Sequence, residues 1–339
     1  MKRFAVISVL VLAAFAWSCH RRPLVDPQQT RYVRIYVDEE LKNITTGFYD
    51  SGHAHPEYRS PEIMRVMLYD ASGRMVSERY LRNRGRDEQG AYYDGYIIVE
   101  PGDYTLLAYN FNTEKTIVGS EGTLADAEAH TNEIASHLRS RLSSRSSASH
   151  DRIVYDADPL LVARGGVHVG YSEEIDDLRT LDGGWFEARS IVDAYYVQIR
   201  IRNIRYVSST VALLTGMGGT VRLADGGIDA DNSVTIYFEM QPSAVVEEDD
   251  TAVIYGTFGT FGKLPDEANE LELSFDVLTT YGSKVTADID ITKKFGEPEA
   301  TEHGWLIIDG TIEIPEPPSS GGFTPGVGEW EDVHTDIVI

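Results

Sequence analysis

One cysteine in 339 residues, Cys19, leaves the chain without an internal disulfide, so any folded part must be held by its core alone. Long apolar runs are equally scarce. The longest, residues 4–17, has 14 residues, short of the roughly 20 needed to span a bilayer. Basic residues are few, 30 Lys and Arg against 54 Asp and Glu. That balance excludes binding nucleic acid by phosphate neutralisation and repels anionic headgroups. Gly-x-Ser-x-Gly, His-Glu-x-x-His and a phosphate loop are all missing. Carboxylates are so abundant that choosing two as general acid and base would be arbitrary. The chain therefore reads as a non-enzyme with no catalytic residue, no metal and no cofactor.

What is present begins with Met1-Lys2-Arg3, the apolar run, and Ser18-Cys19. Positive charges, an apolar segment and a small residue before the cut form a secretory signal peptide, residues 1–18. The unique cysteine falls where a lipoprotein signal peptidase would leave it as the new N-terminus. Cys19 is thus the expected lipidation site, carrying acyl chains such as palmitate; two or three chains hold firmly where one does not. Losing Lys2 and Arg3 with the leader leaves 28 basic residues against 54 acidic ones, a net charge of −26. Membrane contact must then come from the acyl chains.

Residues 19–30 read as a lipidated tether. From Arg31 the apolar period becomes two, the mark of half-buried strands. Residues 63–69 and 75–81 form a hairpin around Asp70-Ala71-Ser72-Gly73. A second runs through Pro101-Gly102, and the clearest joins residues 271–277 to 285–291 through Tyr281-Gly282-Ser283. Val207 to Leu214 is expected to stop at Gly216-Met217-Gly218-Gly219. Leu124, Ala127, Ile134, Leu138 and Leu142 recur at three- and four-residue steps and predict one amphipathic helix. The pattern predicts an all-β chain of two tandem antiparallel β-sandwiches, residues 31–184 and 185–315, with that helix inserted in the first. Residues 316–339 form a linker and a C-terminal strand. No internal repeat of the solenoid or propeller kind is visible.

Other candidates are weaker. His53 and His55 lie among loop residues, and Asp225, Asp229 and Asp231 lack the Gly-centred spacing of a calcium loop. Arg139, Arg141, Arg145 and Arg152 stand out against the acidic background as a solvated helix end or a docking patch for an acidic partner. Tyr92, Tyr93 and Trp185 are exposed-aromatic candidates for an alternative role, binding glycan or host protein.

Cys19, the basic start His20-Arg21-Arg22-Pro23-Leu24 and the two all-β halves together resemble the fimbrillin-associated anchor lipoproteins (FimB-like) of Gram-negative gut and oral anaerobes. Val99-Glu-Pro-Gly-Asp-Tyr-Thr-Leu-Leu-Ala-Tyr109 is similar to that family's Pro-Gly-x-Tyr strand start. Thr215-Gly216-Met217-Gly218-Gly219, Gly322-Phe323-Thr324-Pro325 and Glu329-Trp330-Glu331 look like its further motifs. The resemblance implies transthyretin-like Greek-key domains, an outer-membrane lipid anchor, a surface-exposed, fimbrium-associated position and fimbrial subunits as partners. It implies no catalytic residues. Subunits of this kind assemble by adding an extended strand to a neighbour's sheet. Val333, Thr335, Ile337 and Ile339 would form one inserting face, unless that strand pairs within its own chain.

Overall fold

The computed structural model describes residues 28–39, 60–139, 142, 152–265, 269–317 and 332–334. Residues 1–18, Cys19, His53, His55, Arg141, Arg145, Thr335, Ile337 and Ile339 lie outside these residues. The described chain is all-β, in three sheets with two short helices.

The first half supplies β1 (Gln29–Val37), β2 (Ile63–Tyr69), β3 (Met75–Leu81), β4 (Asn83–Asp87), β5 (Gly90–Val99) and β6 (Gly102–Phe111). The chain then leaves this sheet for β7 (Thr116–Gly119), β8 (Glu128–Thr131), α1 (Ser136–Arg139) and β9 (Ile153–Tyr155). It returns for β10 (Leu161–Val169), β11 (Asp176–Asp177) and β12 (Phe186–Ser190). The sheet runs β3-β2-β6-β10-β12-β1-β5-β4, with β11 beside β1. Alternation decides what it buries. Val33, Ile35, Met64, Val66, Leu106, Val167 and Phe186 share one core, while the intervening residues point to the opposite face of the sheet. At the β2–β3 turn, Gly73 takes φ +76 and its N–H bonds to the Asp70 carbonyl at 2.8 Å, the left-handed position that glycine fills without strain.

The second half supplies β13 (Asp193–Arg202), β14 (Val207–Gly218), β15 (Thr220–Arg222), β16 (Ser233–Val246), β17 (Thr251–Thr260), β18 (Glu272–Thr279) and β19 (Lys284–Asp290). After these come α2 (Pro298–His303), β20 (Trp305–Glu313) and β21 (Asp332–His334). The order is β20-β13-β17-β16-β14-β18-β19-β21, with β9 beside β16. Its core gathers Val197, Ile199, Leu214, Phe238, Phe258, Phe275, Val285 and Leu306.

The two sheets share a wiring plan. The first strand of each half, β1 or β13, lies between a parallel neighbour (β12 or β20) and an antiparallel one (β5 or β17). The second strand, β2 or β14, likewise pairs with β3 and β6 or with β16 and β18. The pairs β6–β10 and β18–β19 also correspond. The halves differ at two steps: β10 pairs with β12 whereas β19 pairs with β21, and β16 alone joins β14 to β17 where the first sheet has β3 on β2 and β4 on β5.

Three expectations are corrected. The sheets are mixed, because β1–β11, β1–β12, β9–β16, β13–β20 and β19–β21 are parallel. The 20-residue amphipathic helix is absent. Ala127, Ala129 and Thr131 are buried in alternation on either side of exposed or half-buried residues, so that stretch forms β8. Only Ser136–Arg139 is helical, with Leu138 and Leu142 packed near Ile134, Leu213 and Tyr237. Finally, β14 does not stop at Gly216. Gly216, at φ +74, carries a register shift between Leu214 and Met217, and pairing with β16 resumes at Met217, so this is a bulge.

Strand exchange stitches the halves together. β15 of the second half pairs with β8 of the first, and β9 of the first pairs with β16 of the second. Under the small β7–β8–β15 sheet lies a separate apolar cluster. In it Met67, Tyr69, Leu107 and Tyr109 meet Ala129, Leu160, Val221, Leu223 and Phe261.

Candidate functional site

The two sheets differ where they end, and the second sheet's margins are the first candidate surface. On one side β21 lies parallel to β19, with Asp332, Val333 and His334 opposite Lys284, Val285 and Thr286. Of the four expected strand-donor residues, Val333 is thus held by its own chain, while Thr335, Ile337 and Ile339 lie outside the described residues. On the other side, β20 pairs with β13, and its register shifts between the rows of Ile307 and Thr311. The bulge carries exposed Asp309, 3.5 Å from the Lys294 ammonium. A charged bulge at a sheet margin discourages another strand from adding there.

The second candidate is the outer face of the first sheet. β1 alternates Val33, Ile35 and Val37 inward with Tyr32, Arg34 and Tyr36 outward, and β5 aims Tyr92, Asp94, Tyr96 and Ile98 the same way. Arg34 lies 3.9 Å from the centre of the Tyr92 ring and within cation–π reach of Tyr32, Tyr36 and Trp185. Arg34 also pairs with Asp87 at 2.9 Å, which accepts from the Tyr36 hydroxyl at 2.7 Å. The Tyr32 hydroxyl donates to Asp94 at 2.6 Å, and Asn83 donates to the same carboxylate. Desolvation, then the Asp94 hydrogen bond, raises the Tyr32 pKa. The Tyr36 hydrogen bond holds Asp87 below the usual carboxylate range. For Arg34, burial pulls the pKa down, but bonds to Tyr36 and Tyr32 outweigh it and the net shift is upward.

Two of the expected aromatics, Tyr92 and Trp185, belong to this face. The third does not. Tyr93 is 1% exposed, points into the core and donates its hydroxyl to the Pro61 carbonyl, because period two sends neighbours to opposite faces. Arg179 stacks on Trp185 at 3.3 Å, so the chain's own arginines cover ring faces that a sugar would need. Sequence reasoning missed Arg34 and Tyr96, although the alternation that marked β1 as a strand also placed them outward.

A cleft of about 590 Å³ sits where the halves meet, lined by Asn110, Lys115, Asp156, Asp158, Val192 and Thr257 among others. Lys115, Asp156 and Asp158 are each engaged there. The Lys115 ammonium is 2.6 Å from Asp156, and Asp158 accepts from the Lys115 and Thr116 N–H groups. Burial raises the Asp156 pKa despite Lys115. The remaining described sequence candidates make local contacts, although the buried Arg152 Nε has no hydrogen-bond partner among the described residues. Asp225 pairs with Arg222 at 3.0 Å and caps Gly227, Asp229 accepts from the Asp231 N–H, and Arg152 lies 3.8 Å from Glu133. Among the described residues, no three His, Cys, Asp or Glu side chains gather as a metal site.

Residues 53–239 match the family described as a domain of unknown function, DUF5119. That stretch is more than half of the chain. The chain belongs to the DUF5119 family. This DUF5119 protein is 24% identical over 97% of its length, and 96% of the relative's, to Fim4B of Bacteroides ovatus, provisionally described as a fimbrium anchoring subunit. The resemblance to fimbrial anchors read from the sequence is borne out by that match. Its fold is that of a crystal structure from Bacteroides ovatus provisionally described as an adhesin (TM-score 0.56, 22% identity, 89% of this chain and 98% of that one). The fimbrial anchor protein Mfa2 of Porphyromonas gingivalis aligns over 84% of this chain and 90% of its own, at 14% identity and a TM-score of 0.47, too distant to add to the argument.

Proposed function

We propose that this DUF5119 protein is a lipid-anchored structural subunit that attaches or assembles a fimbria at the outer membrane and catalyses no reaction. The end-to-end match to the fimbrium anchoring subunit Fim4B carries this reading. Cys19 is the acylated residue, residues 20–28 the tether, since β1 takes up Gln29 and Thr30 of the expected one, and other fimbrial subunits the partners. The halves act as two tandem transthyretin-like sandwiches, with the join after β12 and not at residue 184, because Phe186 and Ala188 lie in the first core. The duplicated wiring supports this reading, since each half closes its own core.

The C-terminal strand serves as donor. Its described part pairs through three residues at the sheet margin, and such a short strand can be exchanged for a partner's sheet at modest cost. Two experiments test the proposal. Wild type incorporates a fatty-acid probe and Cys19→Ala does not; equal labelling removes the anchor. Fimbrial subunits co-purify with wild type and are lost on deleting residues 330–339; unchanged assembly removes the donor. Capture of glycan or host protein is the competing reading. It requires array binding that depends on Tyr92 and Trp185, with no co-purifying subunits.

A further inference from the structure

We infer that the outer face of the first sheet, where β1 begins, rests on the surface of a zwitterionic lipid bilayer and sets the orientation of the anchored protein. This rests on the acylation of Cys19 proposed above.

The strand register defines the patch. Tyr32 of β1 lies between Tyr96 of β5 and Asp177 of β11, and Thr30 lies opposite Ile98. Ile175 immediately precedes Asp176, which pairs with Arg31, so it sits beside the start of β1. Tyr96 and Ile98 are each 54% exposed and Ile175 is 58% exposed. Three large apolar side chains thus stand in solvent beside the first four residues of β1.

Chain length says what covers them. Nine residues, 20–28, separate Cys19 from Gln29. Fully extended they span about 30 Å, and as a flexible chain roughly 16 Å. Bilayer-embedded acyl chains would therefore keep this end of the molecule close to the headgroups. The patch also has the right chemistry, since Tyr and Trp settle at the membrane–water interface with an apolar body and a polar tip. Tyr32, Tyr96 and Trp185 form a continuous edge-to-face series here.

The charges specify the lipid. Asp94 is bonded by Tyr32 and Asn83, Asp177 pairs with Arg179 at 2.8 Å, and Asp176 lies 3.8 Å from Arg31. The nearby Glu173 and Glu174 are exposed and repel anionic headgroups, so the surface is zwitterionic and contact should be insensitive to salt.

Because acylation consumes the only cysteine, Ile98→Cys, Ile175→Cys and Val245→Cys each provide one free thiol for an environment-sensitive fluorophore. Val245, 71% exposed on β16 of the second sheet, is the control. The acylated full-length protein is reconstituted in phosphatidylcholine vesicles containing brominated lipid. Expected are flotation with the vesicles, and a blue shift and loss of emission at 98 and 175 but not at 245, unchanged at high salt. Flotation with identical emission at all three positions overturns the membrane contact and leaves the anchor standing. Failure to float, with no fatty-acid label, removes the anchor and the contact together. A blue shift at 98 and 175 without vesicles assigns the patch to a protein surface and likewise overturns the proposal.

Discussion

Phe275→Ala separates two pictures of this molecule: two bodies joined by a linker, or one cooperative unit. Phe275 is fully buried in the second core, and truncating such a ring costs about 3–5 kcal/mol. The question is whether the first sheet registers that loss. Val221, Leu223 and Phe261 of the second half are buried in the cluster beneath β7–β8–β15 with Met67, Tyr69 and Tyr109 of the first. At about 1.5–3 kcal/mol per buried side chain, these three couple the halves by roughly 5–9 kcal/mol, an upper bound. The coupling matches or exceeds the perturbation, before the β8–β15 and β9–β16 ladders are counted. The variant should unfold in one calorimetric transition, its midpoint lowered by on the order of 5–10 °C. Hydrogen exchange should report reduced protection at Val66 and Leu106 as well as at Leu273. Two resolved transitions, with protection in the first sheet unchanged, would refute the reasoning.

Three further outcomes follow from particular positions. Gly216→Ala should destabilise by about 1–3 kcal/mol in urea melts, because the site has φ +74 and an added Cβ would lie 2.8 Å from Asn269 Oδ1 and 2.9 Å from the Glu270 carbonyl; an unaffected midpoint would contradict the bulge geometry. Asp156 has a raised folded pKa, so its protonated form is favoured on folding. That contribution is present below the ordinary carboxylate pKa and fades as pH rises through the folded value. The stability of wild type relative to Asp156→Asn should accordingly decline from acid to neutral pH, and a flat difference would show that burial does not control this group. Arg34→Lys should cost about 1 kcal/mol, since an ammonium cannot both stack on Tyr92 and bond Tyr32, Tyr36 and Asp87; equal stability would show the stack to be incidental.

Much of this was legible along the chain. Period-two burial in β1, β5 and the last five residues of β13 follows from local alternation, and Gly73 and Gly282 adopt the positive φ their turns require. Pro298 at the first turn of α2 and Gly304 at φ +67 after it are ordinary helix boundaries that went unread. The failures have physical causes. Leu124, Ala127, Ile134, Leu138 and Leu142 fit a helical wheel, yet the buried set is Ala127, Ala129 and Thr131, chosen by β15, about 90 residues away in sequence. Tyr93 was grouped with its neighbour Tyr92 by composition, whereas the pleat sends it to the core. Duplicated wiring leaves no repeat in the letters, because a wiring plan constrains which strands meet and only loosely which residues they carry.

By itself the sequence determined the strand content and the turns, since each depends on residues close together in the chain. Tertiary structure alone decided that β12 and β20 run parallel to β1 and β13, that β9 and β15 cross between the halves, and that Tyr96, Ile98 and Ile175 converge beside the start of β1. Backbone hydrogen bonding is indifferent to side-chain identity, so local patterns say that a strand forms and which face it buries. Which strand lies beside it is settled by the packing of the whole core.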